Sequence, residues 1–464
     1  MASVTFLGAA RRVTGAMYLI EAAGARLLLD AGRFEGPGAE ARELNAGLGF
    51  DPRRLDGVIV SHAHLDHTGR LPLLVARGFH GPVYATPATR TLSAVLLPDA
   101  ARAEEEDRDL LAKLEGAGPG AAAAEPLYAP ADAIAVQDLT IGVPYRRLVH
   151  LRKHLTVEFT RAGHILGAAS VDIRLSEPAP HRIVYSGDIG RAGQPLAGDP
   201  APPAGPVDTL MVEATYADRD HESPADAERR LGEVVRQVAA RGGKLLVPAH
   251  PLGRAQELVF GLHRLRRAGS IPEIPIYIDS PVAVDLAAVL RLHPDTDAVR
   301  ECLATDRDSA FDLPLVRYVR HAAESERLSE APGPAVIVAG SGTVEAGRIL
   351  RHLEKLLGDN RACVLLLGFQ AEDTRGRRLA DGADRVSLFG REHERRAEVV
   401  ALSGYSGHAD RTELRAWVRA LGGPVRRAFV VHGEPPALEA MAEILREEGV
   451  TEVVIPNQGE RYDL

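Results

Sequence analysis

The chain has 464 residues, a formal net charge of -9 at pH 7 and 45% hydrophobic residues. This length predicts two or three domains, each with its own core. The negative charge argues mildly against a protein that coats nucleic acid regardless of sequence, although a local basic groove or bound metal cations can override the total. No secretion signal opens the chain, and no apolar run approaches the about 20 residues of a membrane span, so a cytoplasmic protein without membrane contact is expected.

The two cysteines, Cys302 and Cys363, are too far apart for a C-x-x-C pair. They predict buried thiols in a reducing compartment rather than metal ligands. At the start of the chain, three strands separated by glycine-containing turns are predicted over 4–7, 17–21 and 26–29. Asp30 follows the third strand, where a carboxylate could brace a neighbouring histidine loop from behind. An ordinary turn aspartate is the alternative, and the histidine loop that follows favours bracing.

A polar cluster follows the apolar run at 58–60, which reads as a buried strand. The cluster has the pattern H-x-H-x-D-H, formed by His62, His64, Asp66 and His67. Imidazole nitrogen and carboxylate oxygen are ligands that zinc accepts. A catalytic zinc usually takes three protein ligands and keeps one position for water, so four ligands in one loop indicate two metals. The alternative, a histidine-rich surface turn that binds nothing, is disfavoured by the spacing.

Beyond this loop, a helix is predicted over 88–114 and a surface loop over 116–124. Two later strands, at 156–160 and 182–185, each lead into a glycine-flanked polar residue, His164 and Asp188. Glycines let the backbone turn tightly and approach a metal closely. These two residues are therefore further candidate ligands.

A proline-rich segment, 195–206, marks a predicted domain boundary, after which strands and helices alternate. Such alternation indicates a parallel sheet covered on both faces. The strands are predicted over 210–213, 245–247, 276–278, 336–338 and 364–367, and the helices near 224–240, 254–267, 282–292 and 345–356.

Two more strands, at 399–402 and 428–431, lead towards His408 and His432. A return of the chain to the first domain would bring His432 to the same metal centre, so the α/β domain is interpreted as an insertion. A separate third domain with structural histidines is the less favoured alternative. The predicted organisation is a first domain over 1–208, an inserted domain over 209–397 and a C-terminal part of the first domain over 398–464.

The motifs resemble the metallo-β-lactamase superfamily, specifically its β-CASP branch of nucleases, over nearly the whole chain. Beyond the histidine loop, the resemblance rests on Asp30, His164, Asp188, Glu213 in Glu-Ala-Thr-Tyr, His408 in Ser-Gly-His-Ala-Asp and His432 in Val-His-Gly-Glu. It implies an αββα sandwich with an inserted α/β β-CASP domain. A histidine at the last motif is typical of RNA-processing members. Two departures put substrate grip in doubt: the usual Gly-Met-x-x-Gly-Gly-Arg loop is altered between Gly342 and Arg348, and His250 replaces a phenylalanine.

The resemblance implies a zinc-dependent ribonuclease, in which a metal-activated water hydrolyses RNA and leaves 5′-phosphate and 3′-hydroxyl ends. Two Zn²⁺ per chain are expected: one held by His62, His64 and His164, the other by Asp66, His67 and His432, with Asp188 bridging. Asp66 is also counted as a catalytic residue. His408 is the candidate general acid, and Glu213 is expected to orient it and keep it protonated. An arginine-paired turn carboxylate is the alternative for Glu213.

A weaker signal is the glycine-rich turn near Ser341 and Gly342, which, with Arg348, is a candidate contact for a substrate phosphate. An ordinary packing turn is an equally good interpretation. Single-stranded RNA is the expected partner, and a homodimer is left open, as is the choice between endonuclease and exonuclease. The rival functions are a catalytically inactive β-CASP scaffold in RNA processing and a hydrolase of small esters.

Overall fold

The computed structural model describes residues 2–36, 39–114, 126–250, 252–294 and 316–464. The chain divides into two compact units: Met1–Asp220 with His408–Leu464, and His221–Gly407. It therefore leaves the first unit once and returns to it. The loop predicted over 116–124 and Cys302 lie outside the described residues, whereas Cys363 is buried as expected.

The first unit contains two seven-stranded sheets. The first sheet has the strand order β22-β1-β2-β3-β4-β5-β6, with β1 Ser3–Gly8, β2 Met17–Ala22, β3 Ala25–Leu29, β4 Gly57–Ile59, β5 Val83–Ala85, β6 Thr140–Gly142 and β22 Arg461–Asp463. The second has the order β21-β20-β11-β10-β9-β8-β7, with β7 Val149–Arg152, β8 Leu155–Arg161, β9 Ala169–Leu175, β10 His181–Tyr185, β11 Val207–Glu213, β20 Val425–Val431 and β21 Glu452–Val454.

The two sheets of the first unit pack face to face around one apolar core, to which Phe6 and Ile20 contribute from one sheet and Phe159 and Phe429 from the other. Helices cover both outer faces through two further clusters. The result is the four-layered αββα sandwich that the sequence predicted. Its described helices are Ala39–Ala46, Leu65–Thr68, Leu71–Ala76, Pro87–Leu114, Pro130–Leu139, Arg411–Ala420 and Pro435–Glu447, with a 3₁₀ turn at Pro52–Arg54.

Strand direction brings the polar loops of the first unit together. In the first sheet β3 runs parallel to β4, and in the second β11 runs parallel to both β10 and β20. Parallel neighbours end at the same edge of a sheet, so the loops that follow them are neighbours too. Asp30, the histidine loop, Asp188 and His432 all follow the carboxyl ends of these strands.

The second unit is built on a six-stranded parallel sheet with the order β14-β13-β15-β12-β16-β19. Its strands are β12 Lys244–Pro248, β13 Ile276–Asp279, β14 Val316–Tyr318, β15 Ala335–Ala339, β16 Cys363–Leu366 and β19 Glu398–Ala401, beside a hairpin of β17 Arg385–Leu388 and β18 Arg391–Glu394. Neighbouring residues of β12 enter different cores, since Leu245 and Val247 face one cluster and Leu246 the other. The sheet is therefore buried on both faces, as parallel sheets usually are.

Helices supply the covering layers of the second unit. They are Pro224–Ala240, Arg254–Arg267, Ala283–Leu292, Ala322–Leu328, Ile349–Leu356 and Arg375–Ala380, with a 3₁₀ turn at Ser403–Tyr405. Within the described part of the chain, no helix is both long and apolar enough to cross a membrane.

The units divide later in the chain than the predicted boundaries at 208/209 and 397/398. Strand β11 was assigned to the inserted domain, but it pairs with β10 and β20 inside the sandwich. Strand β19 was assigned to the returning segment, but it pairs with β16 in the second unit. A buried strand has the same apolar pattern in either sheet. Proline content and the alternation of strands and helices therefore placed β11 and β19 in the wrong domain.

Candidate metal centre

The histidine loop of the first unit is held against the segment that follows β3. The N–H of Ala31 donates to the carbonyl of His67, and the N–H of Ala16 donates to that of Asp66, both at 2.8 Å. A Cβ on Gly32 would lie 1.6 Å from the carbonyl oxygen of Asp66, so only glycine allows this approach. Backbone contacts thus fix the short helix Leu65–Thr68 that carries two of the predicted ligands.

Asp30 lies behind this loop, where the sequence analysis placed it. Its carboxylate accepts hydrogen bonds from the N–H and Oγ of Ser61, both at 2.7 Å, and from the Tyr185 hydroxyl at 2.8 Å. It also lies 2.8 Å from Nδ1 of His67. A carboxylate can only accept, so Nδ1 of His67 carries a hydrogen, and in the neutral ring that binds a metal its Nε2 keeps the lone pair.

The first group of potential ligands, the three-histidine group, consists of His62, His64 and His164, whose ring nitrogens lie within 4.8 Å of one another. Nδ1 of His64 is 3.2 Å from Nε2 of His62 and 3.1 Å from Nε2 of His164. Because His62 and His164 are buried, water reaches this cluster from few directions. Three converging imidazoles of this kind suit a borderline metal such as zinc.

The second group, the mixed group, consists of Asp66, His67, Asp188 and His432, again with ligand atoms within 4.8 Å of one another. Nε2 of His67 lies 3.3 Å from Nε2 of His432 and 3.2 Å from Oδ1 of Asp188. The other oxygen of Asp188 is 3.5 Å from Nε2 of His62. Asp188 therefore reaches both groups.

The donor set fits metal ions. Oδ1 of Asp188 is buried and has no hydrogen-bond partner of good geometry among the described residues, a costly state for a carboxylate oxygen. A cation there would satisfy it. Burial opposes ionisation of Asp188, but the nearby charges of His432 and His67 outweigh burial and hold its pKa well below the usual value. The pKa of Asp66 is likewise lowered, because His67 and His432 outweigh its burial.

Beside the candidate ligands lies a carboxylate–imidazole pair, the buried Glu213 and the partly exposed His408. Oε1 of Glu213 is 3.2 Å from Nδ1 of His408 and accepts the N–H of Ile189 at 2.7 Å. The Ala409 N–H in turn donates to the carbonyl of Ile189 at 2.7 Å, which fixes the loop carrying His408. The described contacts of Glu213 are to the N–H groups of Ile189 and Thr215, the Thr215 hydroxyl and His408, and none of them is to an arginine, which disfavours the alternative of an arginine-paired turn carboxylate.

The contact between Glu213 and His408 also affects the protonation of the His408 ring. Burial of the His408 ring lowers its pKa, but the charge of Glu213 and the hydrogen bond to it outweigh burial, so the pKa of His408 lies above its usual value. Nε2 of His408 is 4.0 Å from Oδ2 of Asp188, and with His164 these residues form a third set of potential ligand atoms. His408 is therefore placed either to transfer a proton or to bind a metal.

Three residues at this site were missed by the sequence analysis: Ser61, Tyr185 and Thr215. Ser61 and Tyr185 bind Asp30, and the Thr215 hydroxyl contacts both Glu213 and His432. Thr215 lies inside the motif quoted for Glu213, and Ser61 directly precedes the histidine pattern, so their position was the available signal. Tyr185 looks like an ordinary β10 core residue, and nothing in the sequence distinguishes it.

The candidate phosphate residues lie in the second unit and already have partners there. The N–H of Ser341 donates to the carbonyl of Ala346 at 2.9 Å. The Arg348 guanidinium donates to Asp279 at 2.7 Å and to the carbonyls of Val319 and Arg320. A Cβ on Gly342 would lie 2.7 Å from Cδ2 of His250, so these two residues of the altered motifs are in contact. The expected helix over 345–356 begins only at Ile349. A phosphate contact here stays a prediction.

The fold and the clustered ligands define a metal-dependent hydrolase architecture. Residues 10–250 match the metallo-beta-lactamase superfamily, residues 255–379 the Beta-Casp domain, and residues 392–456 the Zn-dependent metallo-hydrolase RNA specificity domain. The chain belongs to the metallo-β-lactamase superfamily and carries its β-CASP insertion, as the motifs indicated.

Among curated proteins, the chain is 36% identical over 459 residues to Ribonuclease TTHA0252 of Thermus thermophilus, covering 98% of each chain. It is 32% identical to Transcription termination factor FttA of Thermococcus kodakarensis, with 83% of this chain matching 58% of that protein. FttA of Methanosarcina mazei is 30% identical over 95% of this chain and 68% of its own length. The chain thus spans little more than half of the Thermococcus relative.

A solved structure of a protein of unknown function from Enterococcus faecalis V583 is similar over the full length of both chains, with a TM-score of 0.51 and 15% sequence identity. At this identity the likeness concerns the fold alone.

Proposed function

We propose that this protein is a zinc-dependent ribonuclease that hydrolyses RNA phosphodiester bonds and leaves 5′-phosphate and 3′-hydroxyl ends. The observation that carries the proposal is the adjacency of two potential ligand groups, both reached by Asp188, to the Glu213–His408 pair. Two metals near a proton donor suit phosphodiester cleavage, whose transition state gathers negative charge.

The relatives support RNA as the substrate. A protein named as a ribonuclease matches this chain over nearly its full length, and the C-terminal residues match a domain described by its RNA specificity. His432, the histidine at the last motif, also favours RNA, because the family resemblance associates a histidine there with RNA-processing members. We propose single-stranded RNA as the preferred form.

The ligands are assigned to two zinc ions per chain. The three-histidine group would hold one ion, Asp66, His67 and His432 the other, and Asp188 would contribute to both. When bound, two such cations would lower the pKa of a water molecule and offset the charge that develops on the phosphoryl oxygens. The lowered pKa values of Asp66 and Asp188 favour their anionic, ligating forms.

His408 is assigned the proton transfer. In the hydrolysis, a water oxygen joins phosphorus and a proton of that water passes to the solvent. The bond from phosphorus to O3′ breaks, and the 3′ oxygen leaves with a proton from His408, which regains one from the solvent. Glu213 favours the protonated form of His408, since its charge and hydrogen bond outweigh burial and raise the pKa of the imidazole. The other product keeps the phosphate on its 5′ end, and the ribose 2′-hydroxyl takes no part.

The test is incubation of the zinc-loaded protein with single-stranded RNA labelled at either end, with a duplex of the same sequence beside it. Product lengths distinguish endonuclease from exonuclease action, and end chemistry tests the mechanism. We expect 5′-phosphate and 3′-hydroxyl ends and faster cleavage of the single strand. His80→Ala, at an exposed histidine of the first unit, is the matched control for the site histidines and should cleave normally.

Two outcomes would contradict the proposal. Products with 2′,3′-cyclic phosphates would show that the ribose hydroxyl is the nucleophile. A folded, zinc-loaded protein that binds RNA without cleaving it would favour the scaffold function, and hydrolysis of small esters alone would favour the esterase.

A further inference from the structure

The hydroxyl of Thr215 lies between Glu213, the proposed partner of the proton donor His408, and His432, a proposed metal ligand. Thr215 is 2% exposed and follows the end of β11. Its Oγ1 lies 2.5 Å from Oε2 of Glu213 and 3.2 Å from Nδ1 of His432. One buried hydroxyl therefore contacts both the carboxylate behind His408 and a proposed metal ligand.

Counting hydrogens fixes the roles in this contact. A threonine hydroxyl has one hydrogen to donate, and the ionised carboxylate of Glu213 has none. At 2.5 Å the hydroxyl hydrogen must lie towards Glu213. Oγ1 then faces Nδ1 of His432 with a lone pair, so Nδ1 must carry the hydrogen of that ring. In the neutral ring that binds a metal, Nε2 of His432 is then left without a hydrogen.

Nε2 of His432, the nitrogen without a hydrogen, lies beside the other potential ligand atoms of the mixed group. Nε2 of His432 lies 3.3 Å from Nε2 of His67 and 3.5 Å from Oδ2 of Asp66. His67 is held in the same tautomer by Asp30, whose carboxylate accepts a hydrogen bond from its Nδ1–H. The two imidazoles of the mixed group are thus held in the same tautomer by different partners, one a carboxylate and the other a hydroxyl.

Backbone contacts keep Thr215 in position. Its N–H donates to Oε2 of Glu213 at 3.1 Å, and the N–H of Ala214 donates to the carbonyl of His432 at 3.2 Å. In the sheet, Glu213 pairs with Val431, the residue before His432. His432 has a φ of 50°, a left-handed conformation that is costly for a residue with a Cβ. The ligand is therefore set by the surrounding structure rather than by its own preference.

We propose that Thr215 is a positioning residue, whose hydroxyl fixes the metal-binding tautomer of His432 and couples it to Glu213. This inference rests on the proposed metal function and deepens it. The hydroxyl, and not the shape of the side chain, is the active feature. A serine at position 215 should preserve zinc affinity, whereas a valine, which has the same shape without the hydroxyl, should lower it.

Zinc affinity tests this without RNA. Competition with a chromogenic chelator would measure the binding constants of the wild-type protein, Thr215→Val and Thr215→Ser. Loss of a partner behind a metal-binding histidine typically costs about 10–100-fold in affinity, and we expect this for one of the two ions in Thr215→Val. Thr215→Ser should remain close to the wild type.

Thr209→Val is the matched control. Thr209 is another buried threonine of β11, and its hydroxyl contacts Nε2 of His181 at 3.0 Å, a histidine outside all ligand groups. It should bind zinc as the wild type does. Circular dichroism and thermal unfolding of the zinc-free proteins would establish that all variants fold.

The outcomes separate the two proposals. If the wild type binds two zinc ions and Thr215→Val binds both equally tightly, the role of Thr215 is wrong while the metal site stands. If Thr215→Ser loses affinity as Thr215→Val does, the hydroxyl is not the feature that matters, and the role is also wrong. If the folded wild type binds no zinc, both the proposed function and this inference fall.

Discussion

Nδ1 of His408 lies 3.2 Å from Oε1 of Glu213, although 195 residues separate the two in the chain. The whole second unit lies between them in the chain, and both belong to the first unit. Glu213 is fixed by the N–H groups of Ile189 and Thr215, so His408 meets a carboxylate that is already oriented. Under the proposed assignment, proton transfer and metal binding belong to different residues, so substitutions should separate the two.

His432→Ala should lower the zinc content, whereas His408→Ala should keep both ions and lose most of its cleavage. His432 supplies a ligand that no nearby residue replaces, and proton transfer typically contributes about 10²–10⁴-fold in rate. Elemental analysis and single-turnover cleavage would be measured together. Loss of zinc from His408→Ala would instead place His408 among the ligands, in the set it forms with His164 and Asp188.

Glu213→Gln should slow cleavage in the same direction as His408→Ala, and the double variant should be little slower than His408→Ala alone. The two residues act as one unit if Glu213 works by holding His408 protonated, and effects within one unit do not add. Single-turnover rates of the four proteins complete the cycle. Fully additive losses would mean that Glu213 acts on something other than His408.

Tyr185→Phe should weaken zinc binding by about 10-fold, because it removes a donor to Asp30, the partner that orients His67. Chelator competition measures the change. Tyr462→Phe is the control, since its hydroxyl donates to a carboxylate, that of Glu460, at 2.7 Å outside the ligand groups. Equal zinc affinity in Tyr185→Phe and the wild type would show that Ser61 alone suffices to orient Asp30.

Asp279→Asn should destabilise the second unit by about 3–5 kcal/mol at pH 7, because Asp279 is a buried partner of Arg348 and His352. Burial raises the pKa of Asp279, but hydrogen bonds from His352, Ser325 and Arg348 outweigh burial and lower it. A lowered folded pKa gives stability that is present above the unfolded value of about 3.9 and is lost as the pH falls below it.

Thermal unfolding at pH 7 and at about pH 3.5 would test this pH dependence of Asp279. The difference between the wild type and Asp279→Asn should shrink at the lower pH. Asp384→Asn, at an exposed carboxylate, should stay within about 0.5 kcal/mol of the wild type at both. A difference that is unchanged by pH would mean that the charge of Asp279 does not matter.

The sequence predicted the sandwich and the candidate ligands because short polar motifs followed recognisable buried strands. Asp30, the histidine loop, His164, Asp188 and His432 lie together as proposed from the motifs. Parallel strand ends account for all of them except His164, which follows β8, a strand with antiparallel neighbours. Their roles in binding and catalysis stay predictions until the variants are measured.

What the sequence did not predict depends on contacts between distant strands. The register of β11 against β20 decides that Thr215 meets His432, and β11 itself was assigned to the wrong domain because its burial pattern fits either sheet. Tyr185 was missed for a related reason, since an inward-facing strand tyrosine looks like core until its hydroxyl is seen beside Asp30.

The order in which the first unit is assembled has a consequence during synthesis. Its last segment, from His408 onwards, leaves the ribosome only after the whole second unit. A nascent chain that ends at Gly407 contains the three-histidine group but lacks both the proposed proton donor and the ligand His432. Under the proposed assignment, such a chain has no complete active site, so RNA near the ribosome is not cleaved by unfinished copies of the protein.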